Sequence, residues 1–282
     1  METLFFALKS IILGIIEGTT EFLPVSSTGH LIIFQNLLNF VSETPNYIEM
    51  YTYVIQLGAI LAVIVLYRDK ILSTIKNFFP SKVGYEKSGF KFWLMIFIAC
   101  IPGGVFGILL DDLAEKYLFN PVSVAITLFL GGVLMIVAEN KLTGRHTSHI
   151  TEINLNVKQA LTIGMFQCLA IIPGMSRSAS TIIGGWVAGL STVVAAEFSF
   201  FLAIPVMIGM STLKIIKFGG LGLLSGMEVL GLVVGFVVSF VVAIVVIDKF
   251  ISFLKRKPMR VFAVYRMVFA ALLLISSYIG LF

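Results

Sequence analysis

The chain has 282 residues, 58% of them hydrophobic and 12% charged, with a mean hydropathy of +1.02. A water-soluble domain carries about 25% charged residues, so a soluble globular fold is excluded. The net charge of +5 does not mark a nucleic-acid-binding protein, because the positive residues fall in short loops between apolar runs, where membrane topology places them.

In chain order, a short apolar piece at 4–16 leads into the polar stretch EGTTEFLPVSSTGH (17–30), and a second short piece follows at 31–41. Windows 50–67, 92–110 and 121–138 are each long enough to cross a hydrocarbon core of roughly 30 Å. Short pieces then recur at 160–172 and 181–190 around IIPGMSRSAST, and three further windows follow at 195–213, 229–247 and 261–282. About a dozen residues of helix reach only about 18 Å, so each short pair, bent at a proline-containing polar centre, predicts a re-entrant hairpin, the alternative being that 4–23 crosses alone as an ordinary span. The N-terminus lacks a basic n-region and a small-residue cleavage site and is expected to belong to the mature chain. Cys100 and Cys168 have no metal-ligand spacing and read as small hydrophobes.

The two halves resemble each other. LGIIEGTTEFLP (13–24) aligns with IGMFQCLAIIPG (163–174), setting Gly14 on Gly164 and Glu17 on Gln167; one residue of slippage then sets Pro24 on Pro173 and Ser27 on Ser176. Asp111 matches Asp248 and Pro121 matches Pro258. Each half holds one hairpin and three spans, an odd number, so the second copy is inverted. The expected fold is an all-α polytopic membrane protein of six transmembrane helices plus two re-entrant helical hairpins. It forms one membrane domain, 1–282, built from repeat one, 1–141, and inverted repeat two, 158–282. Loops 68–91, 140–158 and 248–260 hold fourteen Lys and Arg against four on the other side, Lys9, Lys116, Lys214 and Lys217. The first set is therefore expected in the cytoplasm, with the hairpin tips meeting near mid-membrane.

Glu17 and Glu21 are one helical turn apart and share a face. Charge at bilayer depth costs roughly 2.5–3.5 kcal/mol on insertion scales, so the pair needs compensation. A divalent hard cation, Mg²⁺ or Ca²⁺, suits two carboxylates; the other candidate is Arg177, forming a buried lock between the hairpins. Ser or Thr after Pro24 can cap the returning helix, and Ser27 and His30, three apart, could place a nucleophile beside a base. The second centre reads as an anion site: Gly174 frees the turn, Ser176, Ser178 and Thr181 offer hydroxyls, and Arg177 offers a fork for phosphate oxygens. Gln167 and Thr28 stand where the other repeat has Glu17 and Arg177. His146 and His149 read as surface residues, and Arg266 is expected to snorkel or to pair with Glu197 or Asp248.

EGTTEFLPVSSTGH with PGMSRSAST closely resembles the undecaprenyl-diphosphate phosphatase (bacitracin-resistance) family, and the resemblance spans the whole chain. It implies hydrolysis of undecaprenyl diphosphate to undecaprenyl phosphate and inorganic phosphate, recycling the cell-wall carrier lipid. It implies a multi-pass protein of the bacterial cytoplasmic (inner) membrane with its site opening outward. Carried over residue by residue, it makes Glu17, Glu21, Ser27, His30 and Arg177 catalytic and Glu17 and Glu21 the metal ligands. Ser26, Thr28, Gly174, Ser176, Ser178 and Thr181 are then expected to contact substrate phosphate. Many relatives have Gly where this chain has Ala179, a methyl that could tighten the pocket. Either Ser27 or His30 could be the nucleophile, and Phe22, Phe34 and Trp186 could accept the first isoprene units. The lipid membrane is an expected partner, a homodimer is possible, and nucleic acid is not expected. A lipid-carrier flippase built on the same inverted repeat is the alternative.

Overall fold

The computed structural model describes residues 2–118, 120–142 and 153–278; among them there are helices, turns and no β-strand. His146 and His149 lie outside the described residues. The helices are α1 (Glu2–Thr20), α2 (Ser27–Leu37), α3 (Tyr47–Leu66), α4 (Arg68–Lys76), α5 (Pro80–Val83) and α6 (Gly89–Leu118). They continue with α7 (Pro121–Leu142), α8 (Val157–Gln167), α9 (Arg177–Val187), α10 (Thr192–Phe218), α11 (Gly226–Leu254) and α12 (Arg260–Tyr278).

Among the described residues, seven helices are long and apolar enough to cross a membrane: α1, α3, the Gly89–Leu110 part of α6, α7, α10, α11 and α12. The seventh is α1. Its apolar run predicts a piece ending at residue 16, ahead of Glu17, but the helix continues to Thr20, with Glu17 buried in the interior and Gly18 packed against α11.

Small residues set how α1 packs. A Cβ on Gly14 would lie 2.8 Å from the Gly235 carbonyl oxygen, and one on Gly18 would lie 2.5 Å from that of Ser239. Gly231, Gly235, Ser239 and Ala243 form one buried stripe of α11, while Val233, Val237, Val241 and Val245 form an exposed one. Apolar solvent-side residues on so hydrophobic a helix belong against lipid, and the small stripe lets backbones approach closely. By this register α1 reaches only the level of Ala243, and α11 runs on to Leu254, about 16 Å further.

The chain then turns back. Lys9 Nζ donates to the Asn39 carbonyl at 2.8 Å, and Phe6 stacks on Phe40 with ring centres 4.6 Å apart. The free ends of α1 and α2 therefore sit together. So do those of α8 and α9, where Gln159 Nε2 donates to the Ala188 carbonyl at 3.0 Å. The two hairpins come from opposite ends of the bundle. The α1–α2 end neighbours Tyr47 and Glu228, joined at 2.8 Å. The α8 end neighbours the basic segments, through Lys91 to Asn154 at 2.7 Å. Lys70 to Glu197 at 3.3 Å and Arg260 to Asn140 at 2.5 Å mark that same basic end.

The tips touch in the interior, where Ser178 Oγ donates to the Leu23 carbonyl at 2.9 Å. Around them, Phe198, Phe200, Phe201, Trp186 and Phe250 fill one core cluster and Phe6, Phe40, Tyr47 and Tyr51 a second. Phe22 and Trp186, expected as walls for isoprene units, are core residues.

Candidate active site

Both tips are built by one local device. Ser26 and Ser176 each adopt φ 71°, a left-handed conformation rare for a residue with a side chain. Each then caps the returning helix: Ser26 Oγ accepts from the Gly29 amide and Ser176 Oγ from the Ala179 amide, both at 3.3 Å. Strain of this kind persists where the surroundings over-determine it, commonly at functional sites. The shared cap aligns Ser26 with Ser176, and hence Ser27 with Arg177. The slippage that set Ser27 on Ser176 and Thr28 opposite Arg177 is therefore corrected: serine hydroxyl and guanidinium occupy equivalent first positions of the two returning helices. Gly174, at φ 94°, completes the second turn; a Cβ there would lie 2.1 Å from Thr127 Oγ1.

The Glu21 amide donates to the Glu17 carbonyl at 3.0 Å, so Glu21 stands one turn beyond Glu17 on the same face. Arg177 Nη2 donates to Glu21 Oε1 at 2.8 Å, and Ser27 Oγ donates to Glu21 Oε2 at 2.6 Å. Arg177 Nη1 is anchored on the Ser199 carbonyl at 2.9 Å, and its guanidinium lies 5.8 Å from the Phe22 ring centre. Arg177 Nε and both Glu17 carboxylate oxygens are buried without a hydrogen-bond partner. The site opens into a cavity of about 980 Å³ whose polar end includes Glu21, Ser26, Ser27, Thr28, Ser176 and Arg177. Its apolar wall includes Ile96, Phe97, Ile108, Ile172 and Leu213.

Not every expected residue faces this cavity. Ser27 does not pair with His30. His30 is buried with Nδ1 on the Ser26 carbonyl and Nε2 on Tyr265 Oη, both at 2.8 Å, and its ring stacks 4.2 Å from that of Phe269. Ser178 is spent on the Leu23 carbonyl, and Thr181 Oγ1 pairs with Ser199 Oγ at 2.7 Å, so both brace the tips from behind. Ala179 is core, and its methyl does not narrow the pocket. Arg266 pairs with neither Glu197 nor Asp248. Fully buried, it donates to the carbonyls of Pro24 at 3.3 Å, Gly174 at 2.8 Å and Met175 at 3.0 Å, stapling both turns. The sequence reading missed Ser199, although a lone hydroxyl in the apolar run FSFFLAIP was a signal, and Tyr265, whose position beside His30 no spacing reveals.

Glu21 is paired with the Arg177 guanidinium at 2.8 Å, whereas Arg266 is spent on backbone carbonyls. Glu17 is fully buried and does not line the cavity; its two uncapped oxygens, behind Glu21, are the hard donors that a divalent cation would have to reach. Among the described residues no group of three or more His, Cys, Asp or Glu side chains is gathered for a metal.

The family model of the bacitracin resistance protein BacA matches residues 10–272. A Ruminiclostridium cellulolyticum protein named undecaprenyl-diphosphatase is 66% identical over 282 residues, covering 100% of both chains. Proteins of the same name from Clostridium tetani and Thermoanaerobacter pseudethanolicus are 55% and 46% identical, covering 96% and 95% of this chain and 96% of each of theirs.

Proposed function

The chain belongs to the bacitracin resistance protein BacA family, and from that premise we infer that it is a membrane-embedded undecaprenyl-diphosphate phosphatase. It releases inorganic phosphate and returns the monophosphate carrier lipid. The observation that carries the reading is Glu21, which holds the Ser27 hydroxyl on one oxygen and the Arg177 guanidinium on the other at the floor of a partly apolar cavity. A lipid whose every buried CH₂ is worth roughly 0.8 kcal/mol does not leave the bilayer, so its headgroup has to be met at membrane depth. We read the two hairpins as re-entrant elements of an inverted repeat, in the bacterial inner membrane, with the cavity facing outward.

Arg177 exchanges Glu21 for the terminal phosphoryl group and fixes it with a charge-assisted fork. Amide groups at the starts of α2 and α9 favour the same anion. Ser27 Oγ attacks the terminal phosphorus while its proton passes to Glu21 Oε2. The bond to the bridging oxygen breaks and its electron pair leaves with undecaprenyl phosphate. Water then attacks the phosphoserine and the phosphorus–Oγ bond breaks; Glu21 returns its proton to Ser27 Oγ, and the water's oxygen and protons leave with inorganic phosphate. A divalent cation, Mg²⁺ or Ca²⁺, held by Glu17 and Glu21 would offset the charge of the diphosphate. Positioning and electrostatic stabilisation dominate such reactions. His30 holds the Ser26 carbonyl and is a positioning residue, which is why serine is preferred as nucleophile.

The test is phosphate release from undecaprenyl diphosphate by the purified protein in detergent, with Mg²⁺ or Ca²⁺ and after chelation. Release that requires a divalent ion and disappears in Ser27→Ala is the expected result. No release under any divalent ion overturns the enzyme reading and favours a carrier; full release by Ser27→Ala overturns serine as nucleophile.

A further inference from the structure

Away from the tips the cavity continues between α3 and α10, and nothing in the hydrolytic mechanism uses that end. Ser211 Oγ donates to the Tyr53 carbonyl at 2.9 Å, and Lys214 Nζ forms an ion pair with Glu49 and lies 5.5 Å from the Tyr53 ring centre. These contacts fix the two helices antiparallel, with Gln56 at the level of Met207. Met207 Sδ in turn lies 3.7 Å from Arg177 Nη2. From Met207 to Lys214 is two turns of one helix face, about 10 Å. Glu49, Thr52 and Gln56 share the facing side of α3, and all three line the cavity with Lys214. A polar track thus runs from Arg177 to an ion pair whose Lys214 side chain is 10% exposed and whose Glu49 side chain is 35% exposed. A partly exposed ion pair of this kind gains little as a structural device.

We propose that Lys214 is a holding site for a phosphate dianion passing between the hairpin tips and the exterior, with Glu49 as its resting counter-ion. The lipid product can leave through the apolar wall; inorganic phosphate cannot, and requires charged or hydrogen-bonding groups along its way. Lys214 supplies a mobile point charge. Glu49 competes for it, so the anion is held loosely and leaves. The identification of that anion as a reaction product rests on the hydrolytic reading above; the distal phosphate of an arriving headgroup has the same chemistry.

Inorganic phosphate is titrated onto the full chain in detergent, calorimetrically in the Ser27→Ala background and as an inhibitor of hydrolysis in the Ser27 protein. Lys214→Gln is expected to weaken phosphate binding about tenfold or more, Lys214→Arg to restore most of it, and Glu49→Gln, which removes the competing charge, to tighten it. A merely structural pair makes Lys214→Gln and Glu49→Gln act in the same direction, and that result overturns the proposal. So does a raised KM for the lipid diphosphate with phosphate affinity unchanged, which assigns Lys214 to the headgroup. Glu49→Gln and Lys214→Arg decide the matter even if Lys214→Gln does not fold. The predicted binding pattern without any phosphate release from the lipid would refute hydrolysis and leave the Lys214 site standing.

Discussion

Glu21 carries two contacts with different consequences for mutation. Glu21→Gln keeps an oxygen for either Arg177 or Ser27 but loses the charge, so it cannot take the serine proton. The expected result is a fall in initial phosphate release of about 10²–10⁴-fold, the range for a positioned general base. A variant within tenfold of the parent would remove Glu21 from that role. His30 makes the contrasting case, because both its nitrogens bond within the protein. His30→Gln is expected to slow turnover by loosening the Ser26 turn, yet to leave an acid-stable phosphoenzyme; acid-labile label in the parent would make histidine the nucleophile instead. The residue types of this site were readable because glutamate, arginine and histidine are expensive in apolar surroundings and stand out there. Their partners were not. Three-residue spacing allowed Ser27 to meet His30, but the left-handed Ser26 turns Ser27 towards Glu21 instead. For Arg266 the residue type leaves snorkelling and an acidic partner, Glu197 or Asp248, both open, whereas three backbone carbonyls at the two turns satisfy it.

The hairpins depend on how closely α1 approaches α11. Gly18→Val would force a side chain into the Ser239 carbonyl and Val242, and overpacking of that kind costs about 1–3 kcal/mol. The expected outcome is a lowered thermal midpoint in detergent together with lost hydrolysis, since Glu17 and Glu21 flank this contact. Gly226→Ala, at the open start of α11 with nothing within 4 Å, is the control and should leave both unchanged. Equal effects of the two substitutions would show that glycine at position 18 serves no packing purpose. Hydropathy located the helices well, because long apolar runs leave little choice of element. It placed the end of α1 too early, since a window that stops at an ionisable residue cannot see Glu17 buried in the interior. The matched caps were also hidden: aligning proline with proline was reasonable by residue type, but backbone conformation pairs Ser26 with Ser176.

Over the whole molecule, the segments around Lys70, Lys91 and Arg260 gather at one end with the open end of the α8–α9 hairpin, while the α1–α2 hairpin starts from the other. By the positive-inside rule the proposed orientation has the first end in the cytoplasm. The two hairpins start from opposite ends and touch at their tips beside the cavity that Arg177 lines. The orientation can be checked in intact cells by replacing Cys100 and Cys168 with serine and placing single cysteines at Lys82, Lys257 and Glu43. Cysteines at 82 and 257 should react with an impermeant thiol reagent only after the membrane is opened, whereas one at 43, between α2 and α3, should react from outside. The reverse pattern would turn the cavity mouth near Glu49 and Lys214 towards the cytoplasm, where the enzyme would act on lipid already returned to the inner leaflet. Labelling of 43 and 82 from the same side would contradict the packing of α3 from one end of the bundle to the other, and with it the separation of the two hairpin entrances.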